Sequence, residues 1–497
     1  MAEPRLDKLH ALVVPAMPTG HKNACLRLAR SLCAAGFNVT FVWFSSRSPR
    51  ASGQQAIPNP SGNASSAQGG SCSLPENAGC SDNGVIKFQV IDDGIPAEHI
   101  DKPFFSTPVM AENLLKLILE LRGQNDCDPC CLISDSFAPW TVPVAQQAGI
   151  PRIDFWTSNA LAYLLILSVP SLRSDKVFPE TGEEDGAKPT WKSKSPLMLS
   201  NIPCMPAIRS ELFPPEIRFD NGSIPFLRLF QEMCFCATLS YRCLIYSTSE
   251  LEPDAFRGMQ AMGVSVRAIA GCLLHESVSE NASHDSASED GKKNDCLVWL
   301  DKQDKSSVIY VAFGSVVDLT AADVEELAIG LEASGCAFLW ALRWEGEPVE
   351  AVNGLAERTK GRGMVTGWAP QTEILSHAAV GAFLSHCGWN SVMESLWEGV
   401  PLLCCPFLGD QRSNAWYLCE VWRVGLELER SSHGGLRREY VESGVKALLQ
   451  TPQGSAARLK AKEIMVSLRE EAKQGSESFT NLQCLYDDLK QVVCSPY

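Results

Sequence analysis

Two long stretches of this chain each alternate short apolar runs with segments of helical periodicity, and a polar segment separates the two stretches. In the first stretch, apolar runs at 9–14, 37–44, 85–91 and 130–134 alternate with predicted helices over 22–35, 109–121 and 141–147. In the second, runs at 308–313, 337–342, 381–384 and 401–404 alternate with predicted helices over 321–334, 390–398 and 412–421. Strands that alternate with helices need crossover connections, which build parallel sheets. The sequence therefore predicts an α/β fold of two doubly wound parallel-sheet domains that face each other across a cleft.

Charge and apolar content exclude two classes of partner. The 497 residues include 43 Lys and Arg against 58 Asp and Glu, a net charge of −15 without a basic run, so we expect no nucleic-acid partner. The most apolar later stretch, 161–169, is far shorter than the roughly 20 residues that span a bilayer. We expect a cytoplasmic monomer without a membrane segment. The 20 cysteines scatter along the chain, unlike a disulfide framework.

A candidate anion site follows the apolar run at 381–384. A helix is predicted to open at Asn390 and Ser391, residue types that favour helix N-caps, and free N–H groups at a helix start bind anions. His386 precedes this helix and can donate to the same anion. Glu394 lies one turn into the helix, where a carboxylate would need another ligand such as sugar hydroxyls. The pattern suggests a nucleotide diphosphate with a ribose, although a capping serine, a surface histidine and a solvated carboxylate would explain it equally.

A second candidate pair lies in the first stretch. His21 opens a predicted helix after the first strand, and Asp135 follows the run at 130–134, so both lie at carboxyl ends of strands. A helix N-terminus should lower the pKa of His21 and favour the neutral form that a base needs. Asp135 needs a partner, and His21 is a candidate. Taken alone, His21 could equally have a structural role.

The segment from Trp368 to Gln411, 44 residues long, closely resembles the signature box of plant secondary-product UDP-glycosyltransferases (family 1). A looser resemblance covers nearly the whole chain and includes Gly20-His21, Asp301-Lys302-Gln303 and Phe313-Gly314-Ser315. It implies the GT-B fold, in which two Rossmann-like domains face each other. The implied domains are 1–272 for the acceptor, 273–295 as linker, 296–475 for the UDP-sugar, and a terminal helix over 476–497 that packs back on the first domain.

The resemblance implies a donor site that uses no cofactor or metal beyond the UDP-sugar itself. Its implied residues are Trp368 stacked on uracil with Ala369 and Gln371 at the uracil edge, Glu394 on the ribose, Ser315, His386, Asn390 and Ser391 on the diphosphate, and Thr157, Trp389, Asp410 and Gln411 on the sugar. A glutamine at the last position of the box usually accompanies glucose in this family. Gln411 therefore favours UDP-glucose.

In the first domain, the resemblance makes His21 the general base and Asp135 the residue that orients it. The implied reaction is inverting glucosyl transfer to a hydroxyl of a small, partly apolar acceptor such as a phenolic, flavonoid or terpenoid. Phe137 and Trp140 are candidates to line the acceptor pocket, although either could belong to the core. The segment 47–83, rich in Ser, Gly, Asn and Pro, is expected to be a surface loop. The proline that the family usually carries three residues after the histidine is Ala24 here, which should change the helix start more than the chemistry.

Some alternatives remain at this point. C-glycosylation of an electron-rich phenolic ring would use the same base, and a UDP-sugar-binding protein without transfer would need neither His21 nor Asp135. Asp126 and Asp128 match the Asp-x-Asp motif of metal-dependent glycosyltransferases, but they precede a strand instead of following one. Cys127 and Cys130 have the spacing of zinc ligands but no second pair at a suitable distance, so we expect no metal site.

Overall fold

The computed structural model describes residues 8–16, 20–44, 84–95, 107–122, 128–175, 198–214, 224–275, 294–315, 317–344, 349–431 and 435–494. The predicted surface loop at 47–83 lies outside these ranges, as do residues 276–293 of the predicted linker. Asp126 and Cys127 also lie outside the described residues.

The first half of the chain supplies nine strands and six numbered helices within the described ranges. In chain order they are β1 (His10–Val14), α1 (Gly20–Ala34), β2 (Asn38–Phe44), β3 (Ile86–Ile91), α2 (Pro108–Arg122), β4 (Pro129–Asp135), α3 (Thr141–Ala148), β5 (Arg152–Trp156), α4 (Ala160–Ser174), β6 (Met198–Leu199), β7 (Ile208–Arg209), a 3-10 turn (Ser210–Leu212), α5 (Ile224–Leu239), β8 (Arg242–Ile245), α6 (Pro253–Ala261) and β9 (Val266–Ala268).

The second half continues the alternation of strands and helices. Its described elements are α7 (Asp295–Leu300), β10 (Val308–Ala312), α8 (Ala321–Ser334), β11 (Ala337–Ala341), α9 (Leu355–Arg358), β12 (Gly363–Thr366), α10 (Gln371–Ser376), β13 (Val380–Ser385), α11 (Trp389–Trp397), β14 (Leu402–Cys404), α12 (Gln411–Trp416), a π-helical turn (Tyr417–Val421), β15 (Gly425–Glu427), α13 (Arg438–Gln450), α14 (Pro452–Glu471) and α15 (Glu477–Cys494).

Two parallel sheets organise these elements. The first has seven strands in the order β3-β2-β1-β4-β5-β8-β9, and the second has six in the order β12-β11-β10-β13-β14-β15. In each sheet the direction of winding reverses at the centre, between β1 and β4 and between β10 and β13. Ligands of open α/β sheets bind beyond the carboxyl ends of the strands at such a reversal. The predicted fold class is confirmed, and the topology places the residues after β1, β4, β10 and β13 at candidate ligand sites.

Burial explains why the central strands could be recognised in the sequence. All residues of β1, β4, β10 and β13 are buried, as expected for parallel strands covered by helices on both faces. Helix α8 begins with a capping box between Thr320 and Asp323 and ends at Gly335, whose φ of 68° suits a glycine. The predicted bounds of this helix agree with the structure.

Some predicted elements differ from the structure in detail. The helix predicted over 412–421 begins at Gln411 and changes from α to π geometry at Tyr417. The apolar stretch at 161–169 forms most of the amino-terminal two thirds of α4, and all of its side chains are buried. None of the helices in the described ranges is both long enough and apolar enough to cross a membrane.

The terminal helix α15 lies against β4 and β9 of the first sheet. The ring of Tyr486 meets that of Phe37 edge-on at 5.0 Å, and Asp488 pairs with Arg242 at 3.0 Å. Leu489 is completely buried, in a core cluster that draws residues from both sheets. The last helix of the chain is therefore part of the core around the first sheet.

We expect Leu489→Ala to lower the free energy of unfolding by about 2–5 kcal/mol, because it leaves a cavity in this core. Leu459→Ala is the matched control, since Leu459 on α14 is 62% exposed and its truncation should change the free energy by less than about 0.5 kcal/mol. Denaturant unfolding of both variants measures the difference. Equal effects would show that α15 does not contribute to the core in solution.

Candidate active site

The carboxyl ends of β1 and β4 bring His21 and Asp135 together. His21 is the second residue of α1, and its Nδ1 lies 2.7 Å from Oδ2 of Asp135, the last residue of β4. Asp135 is buried, and it also accepts hydrogen bonds from the backbone N–H groups of Ala16 and Phe137. Since a carboxylate accepts, Nδ1 of His21 carries the proton and Nε2 carries the lone pair. The geometry is that of a base oriented by an acid.

The electrostatic surroundings of His21 overturn one expectation. Burial lowers the pKa of His21, but the charge of Asp135 and its hydrogen bond, together with the charge of Asp410, raise it above the ordinary value of 6.5. The prediction that the helix N-terminus would lower this pKa is therefore wrong. A carboxylate in direct contact outweighs the partial charge of a helix end. The structure thus favours the imidazolium form of His21 more than water does.

One aromatic ring contacts the histidine and joins it to a buried cluster of rings. Phe137 meets the His21 ring edge-on at 5.1 Å, stacks on Trp156 at 5.8 Å and meets Phe230 edge-on at 6.1 Å. Trp140 does not join them: it packs edge-on against Phe44 at 5.9 Å, in the core cluster on another face of the first sheet. Of the two aromatic residues predicted to line an acceptor pocket, the structure brings only Phe137 beside the base.

In the second sheet, His386 follows β13 directly and is buried against two glycines. A Cβ on Gly314 would lie 2.7 Å from its ring, and a Cβ on Gly388 would lie 2.4 Å from its Nε2, so both positions require glycine. Burial lowers the pKa of His386 to about 4, against the opposing effect of a hydrogen bond with the backbone of Ala312. Its Nδ1 is buried and has no hydrogen-bond partner among the described residues. The imidazole of His386 is therefore neutral at pH 7.

Helix α11 begins differently from the prediction. Its N-cap is Gly388, which supplies no side-chain cap, so Asn390 and Ser391 lie in the first turn and do not cap the helix. The Nδ2 of Asn390 donates to the backbone oxygen of Gly20 at 2.8 Å, immediately before His21. Its Oδ1 is buried without a partner among the described residues. The backbone N–H groups of this first turn remain a place where an anion can bind.

Glu394, one turn further along α11, accepts hydrogen bonds on both oxygens. Gln371 Nε2 donates to its Oε2 at 2.8 Å and to Ser391 Oγ at 2.9 Å. Arg27 of α1 donates to its Oε1 at 2.6 Å. Gln371 therefore orients both Ser391 and Glu394, and the hydrogen bond from Arg27 links Glu394 to the first domain.

The two tryptophans of the signature box lie in opposite environments. Trp368 is 63% exposed and presents its ring to solvent in the loop after β12, with Ala369 half-buried beside it. Trp389 is buried, donates from Nε1 to the backbone oxygen of Tyr246, and packs near Trp422. The expected contact of the Trp389 side chain with a sugar does not fit this position, because the ring is part of the core between the two domains. Ser315 is exposed just after β10.

The end of the signature box contacts the loop after β5. Asp410 accepts hydrogen bonds from Ser158 Oγ and from Asn414 Nδ2. The Oε1 of Gln411 accepts from the backbone N–H groups of residues 407 and 408 at 2.8 and 3.1 Å. Thr157 Oγ1 lies 3.0 Å from His21 Nδ1. Thr157 and Asp410 therefore lie around His21, and Gln411 is held by its own loop.

Some residues of this region were missed by the sequence analysis. Arg27, Ser158 and Asn159 all form hydrogen bonds across the two domains, Asn159 with Ser413 and Asn414. Arg27 offered one clue: an arginine between the apolar positions 25 and 28 of a predicted helix needs a buried partner. Within the described ranges, no group of three or more His, Cys, Asp or Glu residues is arranged to hold a metal ion.

Comparisons with known proteins agree with this geometry. The sequence model of the family described as "UDP-glucoronosyl and UDP-glucosyl transferase" matches residues 279–454. UDP-glycosyltransferase 85A7 of Arabidopsis thaliana is 32% identical over 509 residues, which cover 96% of each chain. The 7-deoxyloganetin glucosyltransferase of Gardenia jasminoides is 30% identical, over 96% of this chain and 97% of that protein.

Solved structures show the same architecture. The crystal structure of UDP-glucose: anthocyanidin 3-O-glucosyltransferase in complex with UDP superposes with a TM-score of 0.74 at 25% identity, over 97% of this chain and 99% of that one. Phytolacca americana UGT2, solved with UDP-2fluoro-glucose and pterostilbene, gives a TM-score of 0.73 at 24% identity, over 98% and 100% of the two chains. These comparisons confirm the GT-B fold. The chain belongs to the plant family 1 UDP-glycosyltransferases and is an enzyme that uses a UDP-sugar donor.

Proposed function

We propose that this enzyme transfers glucose from UDP-glucose to a hydroxyl group of a small, partly apolar metabolite, with inversion at the anomeric carbon. The observation that carries the proposal is the direct contact between the carboxyl edges of the two sheets. Asn390 in the first turn of α11 donates to Gly20 at 2.8 Å, one residue before His21, and the charge of Asp410 acts on His21 itself. This contact supports a site in which the base couple and the signature box act on the same substrates.

The proposed reaction combines proton transfer to His21 with the departure of UDP. As the acceptor oxygen attacks the anomeric carbon, Nε2 of His21 takes its proton, a contribution typically worth about 10²–10⁴-fold. The bond from that carbon to the diphosphate oxygen breaks, and its electron pair leaves with UDP. Asp135 stabilises the imidazolium, as in other acid-oriented histidine bases. The backbone N–H groups in the N-terminal turn of α11 stabilise the charge that develops on the leaving diphosphate.

The donor assignment rests on the resemblance of the signature box together with its local geometry. The exposed indole of Trp368 offers a face for uracil, with Ala369 beside it. Glu394, oriented by Gln371, would accept from the ribose hydroxyls. Ser315, Asn390 and Ser391 would contact the diphosphate. Gln411, whose Oε1 is held by backbone N–H groups, would present its Nε2 to the sugar and favour glucose, with Thr157 and Asp410 nearby.

The acceptor side is apolar close to the base. Phe137 is half-buried beside His21 and is supported from the core by Trp156 and Phe230, which suits an aromatic or terpenoid acceptor with one reactive hydroxyl. Two relatives carry names that fit this class, the 7-deoxyloganetin glucosyltransferase and the scopoletin glucosyltransferase of Nicotiana tabacum. We assign residues 1–272 and 476–497 to the acceptor domain and 296–475 to the donor domain.

The decisive experiment incubates the protein with UDP-glucose and a mixed panel of phenolics and terpenoids, and measures UDP release and the masses of the products. Acceptor-dependent UDP release with products heavier by one hexose supports the proposal. Products that resist acid hydrolysis of O-glycosides would indicate C-glycosylation. Saturable UDP-glucose binding without any turnover would indicate a binding protein that has lost transfer.

We expect His21→Ala to lower kcat by about 10²-fold or more, because the acceptor hydroxyl then lacks a base. UDP binding, measured by calorimetry, should stay within about twofold of wild type, since this substitution removes no contact with the donor. Phe44→Leu, a change in the core on another face of the sheet, is a control for general effects on folding. Unchanged turnover in the His21 variant would show that the base assignment is wrong.

We expect kcat/KM to rise with pH through a titration above 6.5, because the reaction needs neutral His21 and the structure raises its pKa. Asp135→Asn removes the charge that raises this pKa, so the rising limb should move to lower pH while the plateau falls by about 10²-fold or more. Profiles of kcat/KM from about pH 5 to 9 measure both effects. A limb that stays in place would mean that the titrating group is not His21.

We expect a chelator such as EDTA to leave the activity within about twofold of the untreated enzyme, because the N–H groups at the α11 N-terminus supply the stabilisation that a metal would otherwise provide. Initial rates before and after dialysis against EDTA measure this. Strong inhibition that Mn²⁺ reverses would instead favour a metal role for Asp126 and Asp128.

A further inference from the structure

Arg27 is a buried arginine of the first domain whose side chain reaches into the signature box of the second. It lies on α1, six residues after His21, and is 7% exposed. Its Nη2 donates to Glu394 Oε1 at 2.6 Å, and its Nη1 donates to the hydroxyl of Tyr246 at 3.0 Å. The side chains of this ion pair are 8% and 12% exposed. The pair therefore joins the two domains where water screens it little.

The hydrogen bonds from Arg27 and Gln371 leave the Glu394 carboxylate able to accept further hydrogen bonds. An ionised carboxylate can accept about four hydrogen bonds. Arg27 takes one on Oε1, and Gln371 takes one on Oε2. Each oxygen keeps a lone pair, so the two vicinal hydroxyls of a ribose could each donate to one oxygen. Arg27 and Gln371 thus hold the carboxylate from two sides while leaving it open to a diol.

We propose that Arg27 is a positioning residue that completes the ribose subsite of the donor from the opposite domain, by holding the Glu394 carboxylate oriented toward the ribose hydroxyls. The inference rests on the proposed function, in which Glu394 binds the ribose. Without Arg27 the largely buried carboxylate would lose its only described cationic partner, since Gln371 is neutral and Tyr246 binds Arg27 itself. It would then be free to turn away from the ribose hydroxyls toward solvent or another donor.

A purely structural ion pair makes a different prediction. If Arg27 only joined the domains, its removal would weaken binding of every nucleotide to the same extent. If Arg27 acts through Glu394, its removal weakens only those nucleotides whose ribose hydroxyls contact that carboxylate. The ratio of two dissociation constants, for UDP and for 2′-deoxy-UDP, separates the two roles without any knowledge of the acceptor.

The experiment measures both dissociation constants by calorimetry in the wild type and in Arg27→Met. We expect the wild type to bind UDP about tenfold more tightly than 2′-deoxy-UDP, which corresponds to the free energy of one hydrogen bond to a charged group. In Arg27→Met the preference should fall to about twofold or less. Arg27→Lys keeps the cation and should retain an intermediate preference. Tyr246→Phe loosens Arg27 and should reduce the preference less than Arg27→Met does.

Arg242→Met is the matched control, because it breaks the ion pair with Asp488 at the amino end of β8, and it should keep the full preference. A preference that persists in Arg27→Met while Glu394→Ala abolishes it would overturn the inference and leave the proposed function intact. A preference that persists in Glu394→Ala would overturn the ribose assignment itself. If Arg27→Met does not fold, full preference in both Arg27→Lys and Tyr246→Phe would overturn the inference.

Discussion

Polar contacts between the carboxyl edges of the two sheets join the domains, and both halves of the candidate site depend on them. Strand ends and helix starts expose N–H and C=O groups that apolar side chains cannot satisfy, so a buried edge must be lined with polar partners. Here each edge supplies partners for the other: Asn390 donates to Gly20, Arg27 pairs with Glu394, and Ser158 donates to Asp410. Some of the residues that form this interface, such as Asn390, Glu394 and Asp410, are therefore also ones proposed to bind the donor.

The sequence predicts the parts of the fold that carry their own periodicity. The central strands are buried along their whole length and mostly apolar, and α8 has a capping box and a terminal glycine, so their bounds could be read closely. The strands β12 and β15 have four and three residues and are defined by their pairing with β11 and β14. Such strands depend on the neighbouring strand more than on their own residues, and a local pattern cannot predict them.

Site residues could be predicted where their role follows from their position at the end of a strand. Residues whose role depends on packing in three dimensions were harder to predict. His21 and Asp135 follow strands that pair with each other, so their contact could be inferred from topology. Trp389 stands in a motif full of polar residues, yet its indole is buried between the domains. Arg27 could only have been found by asking which carboxylate would neutralise it, and that carboxylate lies 367 residues away in sequence.

The carboxylates of Asp135 and Glu394 are oriented by different kinds of partner. This difference affects how the two parts of the candidate site would assemble. Asp135 is oriented by His21 and by two backbone N–H groups, all from the first domain, so the base couple exists in that domain alone. Glu394 has a neutral partner in its own domain, and its cation comes from the other. The base is therefore preorganised, whereas the donor subsite depends on the docking of the domains. A UDP-sugar that needs Glu394 held in place by Arg27 would bind the docked arrangement of the domains more tightly than a separated one, and this difference in affinity would favour docking before transfer.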